Sequence, residues 1–275
     1  MTHRRISFFP LLVTLLFLAI APARNIAGEN SVSTAFGYHG SNGPSNWGKL
    51  NPNFTSCGSG KLQSPININR DRTVINKNLK PLLKGYKRAN ATLATNGAVV
   101  GVHYESDCGG MNINNKMYAL KQMHWHSPSE HMIDGIQYPL ELHMVHQLGD
   151  GSYSVIAILY QYGEADPYLA QIEKSLDQLA EEVNKGGKEA QVPLGIINPK
   201  ILKRSSRRFF RYVGSLTTPP CTEDVIWNII PTVRTVSKNQ VRALKAPLNQ
   251  AYKNNCRPLQ SLNGRKVEIA PRADA

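Results

Sequence analysis

Four segments rich in β-branched and aromatic residues follow one another in the middle of the chain, and they constrain the fold more than any other feature. They span residues 99–104, 117–126, 140–147 and 153–160, and Gly, Asn or Asp lies between them, as is typical of turns. Three later segments, 209–213, 225–230 and 266–269, also predict strands. Because these strands do not alternate regularly with helices, we predict a mostly β fold and not a parallel doubly wound sheet.

Two helices are predicted at the periphery of these strands. Asp166 can cap the first helix, Pro167 suits its first turn, and Gly186-Gly187 ends it. Apolar residues recur every three or four positions within it, at Leu169, Ile172, Leu176, Leu179 and Val183. Ser237 and Gln240 form a capping-box pair, which predicts a shorter helix starting at Ser237.

Residues 1–23 have the order of a secretory signal peptide. Arg4 and Arg5 precede an apolar run at residues 11–20, which ends in the small-residue triplet Ala21-Pro22-Ala23. The run is too short to span a bilayer comfortably, so no stable membrane anchor is expected. The mature chain, 24–275, is therefore predicted to be exported. The apoplast is the expected destination, with the vacuole or a plastid reached through the secretory route as alternatives.

The four cysteines are expected to form disulfides, because thiols tend to pair in an oxidising compartment. They are Cys57, Cys108, Cys221 and Cys256, which allow three pairings. Their wide spacing lacks the close CxxC doublets of a structural zinc site. Asn53 and Asn90 each begin an Asn-x-Thr sequon, so both are candidate glycosylation sites in an exported protein.

The chain is strongly basic, with a formal net charge of +13 at pH 7. Such a protein could bind weakly to polyanionic wall or matrix polymers, and the densest cationic cluster lies at residues 203–208. A solvated basic face is the favoured interpretation of this cluster. No nucleic-acid motif or aromatic interleaving accompanies it, so no nucleic-acid partner is predicted.

Three histidines form a candidate metal site. His124 and His126 are two residues apart, so on a strand both rings project from one face, while Trp125 projects from the other. The next strand carries His143, and an antiparallel neighbour lies only about 5 Å away in a sheet. Three neutral imidazoles and one open position are the zinc arrangement that lowers the pKa of bound water to about 7. We therefore predict a Zn²⁺ site.

Two polar residues share a face with these ligands. Gln122 lies on the face of His124 and His126, and Glu141 lies on the face of His143. Each can accept a hydrogen bond from a ring N–H that points away from the metal.

Two further histidines are predicted to stay outside the metal site. His146 has the wrong parity to join His143 unless the strand is bulged. We expect both His131 and His146 to be hydrogen-bonded imidazoles of the core or a loop.

The role of Glu130 is open, because it could be a fourth ligand, a general base or a buried support. Two kinds of enzyme therefore fit these residues. His124, His126 and Glu130 also fit the first half of a cupin motif, in which the carboxylate coordinates manganese or iron. A cupin would normally present a glycine before the first histidine and a Gly-x-x-His segment later, and neither is present. The cupin reading also leaves His143 unexplained.

The order of several motifs resembles that of the α-class carbonic anhydrases, particularly the secreted plant members. The resemblance covers about residues 36–269. Its motifs are Tyr38, Asn42-Gly43-Pro44, Trp47, Gln63-Ser64-Pro65-Ile66, His124-Trp125-His126, Ser129-Glu130-His131, Glu141-Leu142-His143-Met144-Val145-His146, Gly214-Ser215-Leu216-Thr217-Thr218-Pro219-Pro220 and Arg257-Pro258. Each motif is weak alone, but their order over most of the chain is specific.

This resemblance implies a single domain with a large, mostly antiparallel twisted sheet and short peripheral helices, and it implies the reversible hydration of CO2 to bicarbonate. It assigns zinc binding to His124, His126 and His143. It implies that Thr217 accepts a hydrogen bond from the zinc-bound hydroxide and donates its own proton to Glu130.

The resemblance also implies an apolar CO2 pocket and a disulfide. The residues that map onto the pocket are Val145, Val155, Leu216 and Trp227, with Thr217 and Thr218 at the same site. Cys57 and Cys221 map onto a disulfide that braces the Thr217 loop, which leaves Cys108 and Cys256 as the second pair.

One departure from the family concerns proton release. Many members carry a shuttle histidine after an Asn-Gly pair, whereas Ala98 follows Asn96-Gly97 here. His103 is five positions further on, so in an unbroken strand it would face the other way. We therefore expect turnover to depend on buffer or on another relay near Tyr38 or His39.

A non-catalytic relative, serving as a storage or secreted binding protein, is the alternative from another class. Plant members of the family include abundant proteins with weak or lost activity. The presence of all three histidines together with Glu130 and Thr217 argues against such a loss of chemistry.

Overall fold

A computed structural model describes residues 36–186, 189–202 and 208–270. The predicted signal peptide and residues 203–207 of the basic cluster lie outside the described residues. In the described ranges no helix is both long and apolar enough to cross a bilayer.

The strands are β1 (Asn67–Ile68), β2 (Val74–Ile75), β3 (Leu83–Lys84), β4 (Ala89–Thr95), β5 (Val100–Tyr104), β6 (Gly110–Ile113), β7 (Lys116–His126), β8 (Met132–Ile133), β9 (Ile136–Gln137), β10 (Leu140–Gln147), β11 (Tyr153–Tyr162), β12 (Ala190–Ile197), β13 (Phe210–Gly214), β14 (Val225–Val236) and β15 (Glu268–Ile269). The helices are α1 (Trp47–Leu50), α2 (Ser56–Ser59), α3 (Leu169–Asn184) and α4 (Lys238–Lys245).

One large twisted sheet dominates the fold. Its strand order is β12-β4-β5-β7-β10-β11-β14-β13-β15-β2, and β6 joins β3 to β7 at one side. Most neighbours are antiparallel, while β11 with β14 and β15 with β2 are parallel. A small separate sheet has the order β1-β8-β9. The predicted mostly β architecture with peripheral helices is therefore confirmed.

Two of the strands that differ from the sequence prediction contain proline. β14 runs on to Val236, beyond the predicted end at residue 230, and its pairing with β11 shifts register around Pro231. β12 was not predicted, and its register with β4 shifts between Pro193 and Gly195. Proline removes a ladder donor and is tolerated at bulges and at sheet edges. β14 has such a bulge, and β12 lies at the edge of the sheet.

The two faces of the sheet have different roles because side chains alternate along each strand. One face carries Trp125, Leu142 and Met144, which are buried in the main apolar core. The residues between them, including His124 and His143, project from the opposite face. The sheet thus has one face packed on apolar residues and one that carries polar residues.

Helix α3 covers the apolar core as its sequence period predicts. Leu169, Ile172, Leu176 and Leu179 are all buried on one side of it. Asp166 orients its start, because its Oδ1 accepts hydrogen bonds from the main-chain N–H groups of Tyr168 and Leu169 at 2.8 and 3.1 Å. The capping box predicted at Ser237 and Gln240 is also present at the start of α4.

One of the two expected disulfides forms. Cys57 and Cys221 are bonded and link α2 to the loop after β13. The expected second pair is wrong for this structure, since Cys108 and Cys256 are free thiols. Cys108 lies in the apolar core beside the main-chain oxygen of Leu120, whereas Cys256 is half-buried near Gln137. The two thiols therefore have separate surroundings.

His146 lies outside the metal site, as its parity on β10 predicts, because the bulge beside it is on β7, where Lys121 is the extra residue. The register between β7 and β10 shifts between Val145 and His146. His146 is fully buried and shares a hydrogen bond of 2.8 Å with the Tyr86 hydroxyl. The expectation of a hydrogen-bonded core imidazole is confirmed. Burial lowers the pKa of His146 to about 3.

Replacing His146 with glutamine should make the free energy of unfolding less sensitive to acid. Between pH 6.5 and the folded pKa of about 3, the His146 imidazole binds a proton in the unfolded chain but not in the folded chain. This group therefore costs the wild type about 1.4 kcal/mol of stability per pH unit as the pH falls below 6.5. The glutamine amide can still accept the Tyr86 hydroxyl, so the variant should remain folded.

Urea unfolding at a series of pH values measures this difference. The wild-type and His146→Gln curves should run in parallel near neutral pH and diverge below about pH 6. His39→Gln is the matched control, because it removes an imidazole from an exposed position. Parallel curves over the whole acid range would show that His146 takes up a proton as readily in the folded chain.

Candidate metal centre

Three imidazoles converge on the polar face of the sheet. His143 on β10 lies directly opposite His124 on β7, and Glu141 lies opposite His126. The pairing therefore places the third histidine beside the two that share a face on β7. One ring nitrogen from each of His124, His126 and His143 lies within 4.8 Å of the other two.

Each ring is oriented by a hydrogen bond from its outward N–H. Nδ1 of His124 donates to Oε1 of Gln122 at 2.8 Å, and Nε2 of His143 donates to Oε1 of Glu141 at 2.7 Å. The two partners predicted by strand parity thus make the expected contacts. The third partner was missed: Nδ1 of His126 donates to the main-chain oxygen of Asn255 at 2.6 Å.

The donor set fits a zinc ion. With one nitrogen protonated and hydrogen-bonded, each ring presents the lone pair of its other nitrogen. Nε2 of His126 is buried and has no hydrogen-bond partner among the described residues. Burial lowers the pKa of all three imidazoles, so they stay neutral, as metal ligands must be. Three neutral nitrogen donors suit Zn²⁺.

Glu141 is the anchor of the centre. Its Oε2 accepts the main-chain N–H groups of Glu130 and His131, both at 2.8 Å, and its Oε1 accepts Nδ1 of His131 at 2.7 Å in addition to His143. Burial opposes the charge, but His131 and His143 hold the pKa of the Glu141 carboxyl well below its usual range, so it is charged. His131 is a hydrogen-bonded core imidazole, as predicted.

A buried chain of hydrogen bonds continues from His131 to the loop after β13. The Tyr212 hydroxyl bonds Nε2 of His131 at 2.7 Å and Oγ of Ser64 at 2.8 Å. Oγ of Ser64 also accepts the main-chain N–H of Ser215 at 3.0 Å. The chain joins the side chain that orients His143 to the segment that carries Thr217.

Glu130 lies beside the three histidines and stands outside their donor group. Its Oε1 accepts the main-chain N–H of Arg257 at 2.9 Å, and its Oε2 lies 3.6 Å from Nε2 of His126. Burial raises the pKa of Glu130 to about 7, although His143 and the nearby Thr217 hydroxyl favour the charged form. This position suits a buried acceptor near the metal.

The loop that carries Thr217 is held at several points. The main-chain N–H of Leu216 donates to the oxygen of Thr222 at 2.9 Å, and that of Cys221 donates to the oxygen of Thr218 at 2.9 Å. The Cys57–Cys221 disulfide fastens this loop to α2. Thr217 is buried and Thr218 is half-buried.

An apolar wall adjoins the histidines on the same face of the sheet. Val145 is two residues after His143, and cross-strand pairs connect Val145 to Val155 and Val155 to Trp227. Nε1 of Trp227 donates to the main-chain oxygen of Ser215 at 2.9 Å, and Leu216 follows that residue. All four predicted pocket residues are buried. The structure therefore brings them together beside the candidate metal ligands.

The prediction that His103 faces away from the metal ligands is wrong, because β5 does not extend back to Ala98. Ala98 lies in a turn, where its main-chain N–H donates to Oδ1 of Asn96 at 3.1 Å, and β5 starts only at Val100. His103 pairs with Gln122, so it projects from the face of the metal ligands. Burial lowers the pKa of His103 to about 4, which leaves it neutral at pH 7.

Tyr38 packs in a small aromatic cluster and His39 is exposed. The Tyr38 ring makes edge contacts with Phe36, Trp47 and Tyr252. Burial, followed by the charge of Glu130, raises the pKa of Tyr38 well above its usual value. The Tyr38 hydroxyl therefore stays protonated at neutral pH.

Asn255 is a residue that the sequence reasoning missed. Besides the main-chain contact to His126, its Oδ1 accepts the N–H of Ser127 at 2.9 Å, and its Nδ2 donates to the oxygen of Ala98 at 2.9 Å. Its side chain thus locks the segment whose carbonyl orients His126. The only sequence feature that pointed to Asn255 was its position two residues before the Arg257-Pro258 motif.

The fold and the site together define a β-sheet protein with three histidines placed to hold a metal ion. The profile of the eukaryotic-type carbonic anhydrase family matches residues 42–271. The chain therefore belongs to this family, the α-class carbonic anhydrases, whose members bind zinc. This membership excludes the cupin alternative.

Relatives of known name and structure agree with this assignment. Alpha carbonic anhydrase 7 of Arabidopsis thaliana is 38% identical over 96% of this chain and 95% of its own length. Dioscorin DB3L of Dioscorea polystachya is 40% identical over 95% of this chain and 93% of its own length. A crystal structure of dioscorin complexed with ascorbate superposes with a TM-score of 0.83 at 36% identity, covering 88% of this chain and all 100% of that one. The α-carbonic anhydrase of Thermovibrio ammonificans with sulfanilamide gives 0.75 at 34% identity, covering 85% of this chain and 98% of its own.

Replacing Asn255 with alanine should weaken zinc binding about 10- to 100-fold, the usual effect of losing a residue that orients a metal ligand. The variant leaves the Ser127 N–H without its acceptor and frees the carbonyl that holds His126. Competition with a chromogenic chelator measures the zinc dissociation constant. Asn254→Ala is the matched control, since the neighbouring Asn254 is exposed and should bind zinc as the wild type does. Equal affinities for both variants would remove Asn255 from the support of the centre.

Proposed function

We propose that this protein is an exported zinc enzyme that catalyses the reversible hydration of carbon dioxide to bicarbonate and a proton. The observation that carries the proposal is the convergence of three neutral ring nitrogens, each oriented by its own hydrogen bond. His124, His126 and His143 would hold the ion. Zinc, when bound, lowers the pKa of a coordinated water to about 7 and so supplies a nucleophile at neutral pH.

Thr217 and Glu130 orient that nucleophile. Burial opposes the charged form of Glu130 and the Thr217 hydroxyl favours it; in that form the carboxylate can only accept hydrogen bonds. The Thr217 hydroxyl then donates to Glu130 and leaves its oxygen lone pairs for the nucleophile. The N–H of Arg257 keeps the carboxylate in place, so orientation does not require coordination by Glu130.

The apolar wall selects a substrate without charge or strong hydrogen-bonding groups. Val145, Val155, Leu216 and Trp227 offer no hydrogen bond to a molecule on this side, because the indole N–H of Trp227 is used by Ser215. An apolar molecule such as CO2 gains by leaving water for this surface. Thr218, which is half-buried at the same site, borders the wall.

Proton export is the step at which this chain departs from many relatives. Ala98 carries no titratable group, His103 is neutral at pH 7 and Tyr38 holds its proton. Turnover is therefore proposed to depend on diffusible buffer or on a relay that begins near Tyr38 and the exposed His39.

Export and modification belong to the same proposal. The Cys57–Cys221 disulfide suits an oxidising compartment. Asn53 and Asn90 are both exposed, as glycan acceptors must be. The apoplast is the proposed destination.

A storage or secreted binding protein is the second candidate function. It is favoured by the 40% identity to a dioscorin and by the dioscorin structure determined with ascorbate. Under this alternative the cleft would hold a small anionic molecule in place of converting CO2. The oriented histidines, with Glu130 and Thr217 beside them, support the catalytic function more directly.

Replacing Thr217 with valine should reduce CO2 hydration about 100-fold or more, the usual effect of removing one polar group aimed at the reacting oxygen. Zinc content should stay at that of the wild type, because Thr217 is not among the three donors. Stopped-flow hydration and metal analysis of the same samples, with and without a sulfonamide, measure both quantities. Thr222→Val, an exposed threonine of the same loop, is the matched control. Negligible, sulfonamide-insensitive hydration by fully zinc-loaded wild type would favour the storage or binding function.

Replacing Ala98 with histidine should raise turnover at low buffer concentration roughly tenfold. This gain is smaller than the usual rate effect of a general acid or base. The gain should vanish at high buffer concentration, where the buffer carries the proton. Ala98→Gln is the matched control, because it adds a polar side chain that cannot titrate. If Ala98→His and Ala98→Gln behaved alike at low buffer, proton export through this position would not limit turnover.

A further inference from the structure

A cavity lies between the segment around β1 and the segment that precedes β15. Its volume is about 320 Å³, within the size range of small-molecule pockets. None of its lining residues belongs to the metal centre or its apolar wall. The lining residues are Asn67, Asn69, Arg72, Leu259, Gln260, Leu262, Arg265 and Val267.

The lining carries two positive charges and no carboxylate. Arg72 is exposed, and its guanidinium makes no hydrogen bond or ion pair with the described residues. The neighbouring Arg70 differs, because it is paired with Asp134 at 2.9 Å. An arginine whose fork of donors is unused can bind a carboxylate through two parallel hydrogen bonds.

Arg265 adds a second positive charge, and hydrogen bonds fix the position of its guanidinium. Its guanidinium donates to the main-chain oxygens of Gln63, Ser261, Leu262 and Val213 at 2.7 to 3.0 Å. These acceptors are neutral, so they position the charge without cancelling it. Glu223 attracts Arg265 from outside the lining and offsets part of its field.

Two asparagines orient further donors next to Arg72. Oδ1 of Asn67 accepts the N–H of Gly135 at 3.0 Å, and Oδ1 of Asn69 accepts the N–H of Asp71 at 3.0 Å. Because each amide oxygen is used in this way, the amide orientation is set, and neither Nδ2 donates to another described residue. The Nδ2 groups are thus available to a ligand that accepts hydrogen bonds.

The other side of the cavity is apolar with one polar acceptor. Leu259 and Leu262 are 39% and 36% exposed, and Val267 is buried. Nε2 of Gln260 donates to the oxygen of Pro258 at 2.8 Å, which leaves Oε1 free to accept a hydroxyl. An inorganic anion would make no use of this apolar surface.

We propose that this cavity binds a uronate residue of an acidic polysaccharide. The carboxylate lies on Arg72 and the Nδ2 donors of Asn67 and Asn69, and the C–H face of the sugar ring lies on Leu259 and Leu262. No aromatic ring lines the cavity to stack on a neutral sugar, so the guanidinium charge carries the affinity and selects an anionic one. The net charge, +13 for the full chain and 13 − 2 = +11 without Arg4 and Arg5 of the predicted signal peptide, favours the approach of a polyanion. The proposal does not depend on the hydration of CO2.

Trigalacturonate and its neutral methyl ester are the probes, titrated into the zinc-loaded mature protein by calorimetry at low and moderate salt. The acid should bind, and the ester should bind at least tenfold more weakly. Arg72→Gln should weaken binding of the acid at least tenfold, and Leu262→Ser should weaken it several-fold. CO2 hydration and the melting temperature should match the wild type in Arg72→Gln, since the Arg72 side chain makes no hydrogen bond or ion pair with the described residues and is not part of the metal centre.

Arg88→Gln is the matched control, because it removes the same charge from an exposed arginine outside the cavity. It should change binding less than twofold. Equal losses in Arg72→Gln and Arg88→Gln would overturn the proposal in favour of diffuse attraction by the basic surface. Binding of sulfate as tight as that of trigalacturonate, without an effect of Leu262→Ser, would overturn it in favour of a general anion site.

Discussion

The antiparallel register between β7 and β10 is the constraint on which the candidate metal centre depends. It sets His143 directly opposite His124 and Glu141 opposite His126. A shift of one residue would turn every side chain of β10 to the other face of the sheet. His143 and Glu141 would then enter the apolar core, and Leu142 and Met144 would face the cleft. The register is therefore held by the same apolar residues that fill the core.

Orientation of the ligands comes from three different parts of the chain. Gln122 lies on the same strand as His124, Glu141 on the same strand as His143, and Asn255 belongs to a distant segment near the C-terminus. Glu141 also collects the two main-chain N–H groups of Glu130 and His131, so one carboxylate positions both a ligand and a neighbour of the centre. Burying such a charge is tolerated only because its oxygens are fully hydrogen-bonded.

The loop that carries Thr217 is coupled to this centre through buried hydrogen bonds and a disulfide. Tyr212 and Ser64 connect His131 to Ser215, while Cys57 fastens Cys221. Arg257 joins the two sides, since its main-chain N–H donates to Glu130 and its guanidinium donates to the oxygen of Cys57 at 2.9 Å. The proposed chemistry thus lies among groups that the fold holds rigidly, while the proposed uronate cavity uses the outer segments.

Much of the fold and of the site could be predicted from local patterns. Alternation along β7 and β10 located His124, His126, His143 and their partners Gln122 and Glu141, because the period of two in a strand is independent of the rest of the chain. The capping box at Ser237 was also predictable, because it depends only on the types of two residues three positions apart. The ends of β14 and the existence of β12 were not, because Pro231 and Pro193 are acceptable only at a bulge and at an edge.

By itself, the sequence determined which residue types share a face, that the chain belongs to a β-rich class, and that three histidines and a carboxylate are available. Only the tertiary structure decided that the Asn255 carbonyl supports His126, that His103 faces the metal ligands, that Cys108 and Cys256 remain apart, and that Arg72 borders a cavity. The physical reason is that a main-chain carbonyl has no sequence signature, and a turn such as that at Ala98 breaks the strand count. Contacts between distant segments depend on how the sheet is assembled and not on local spacing.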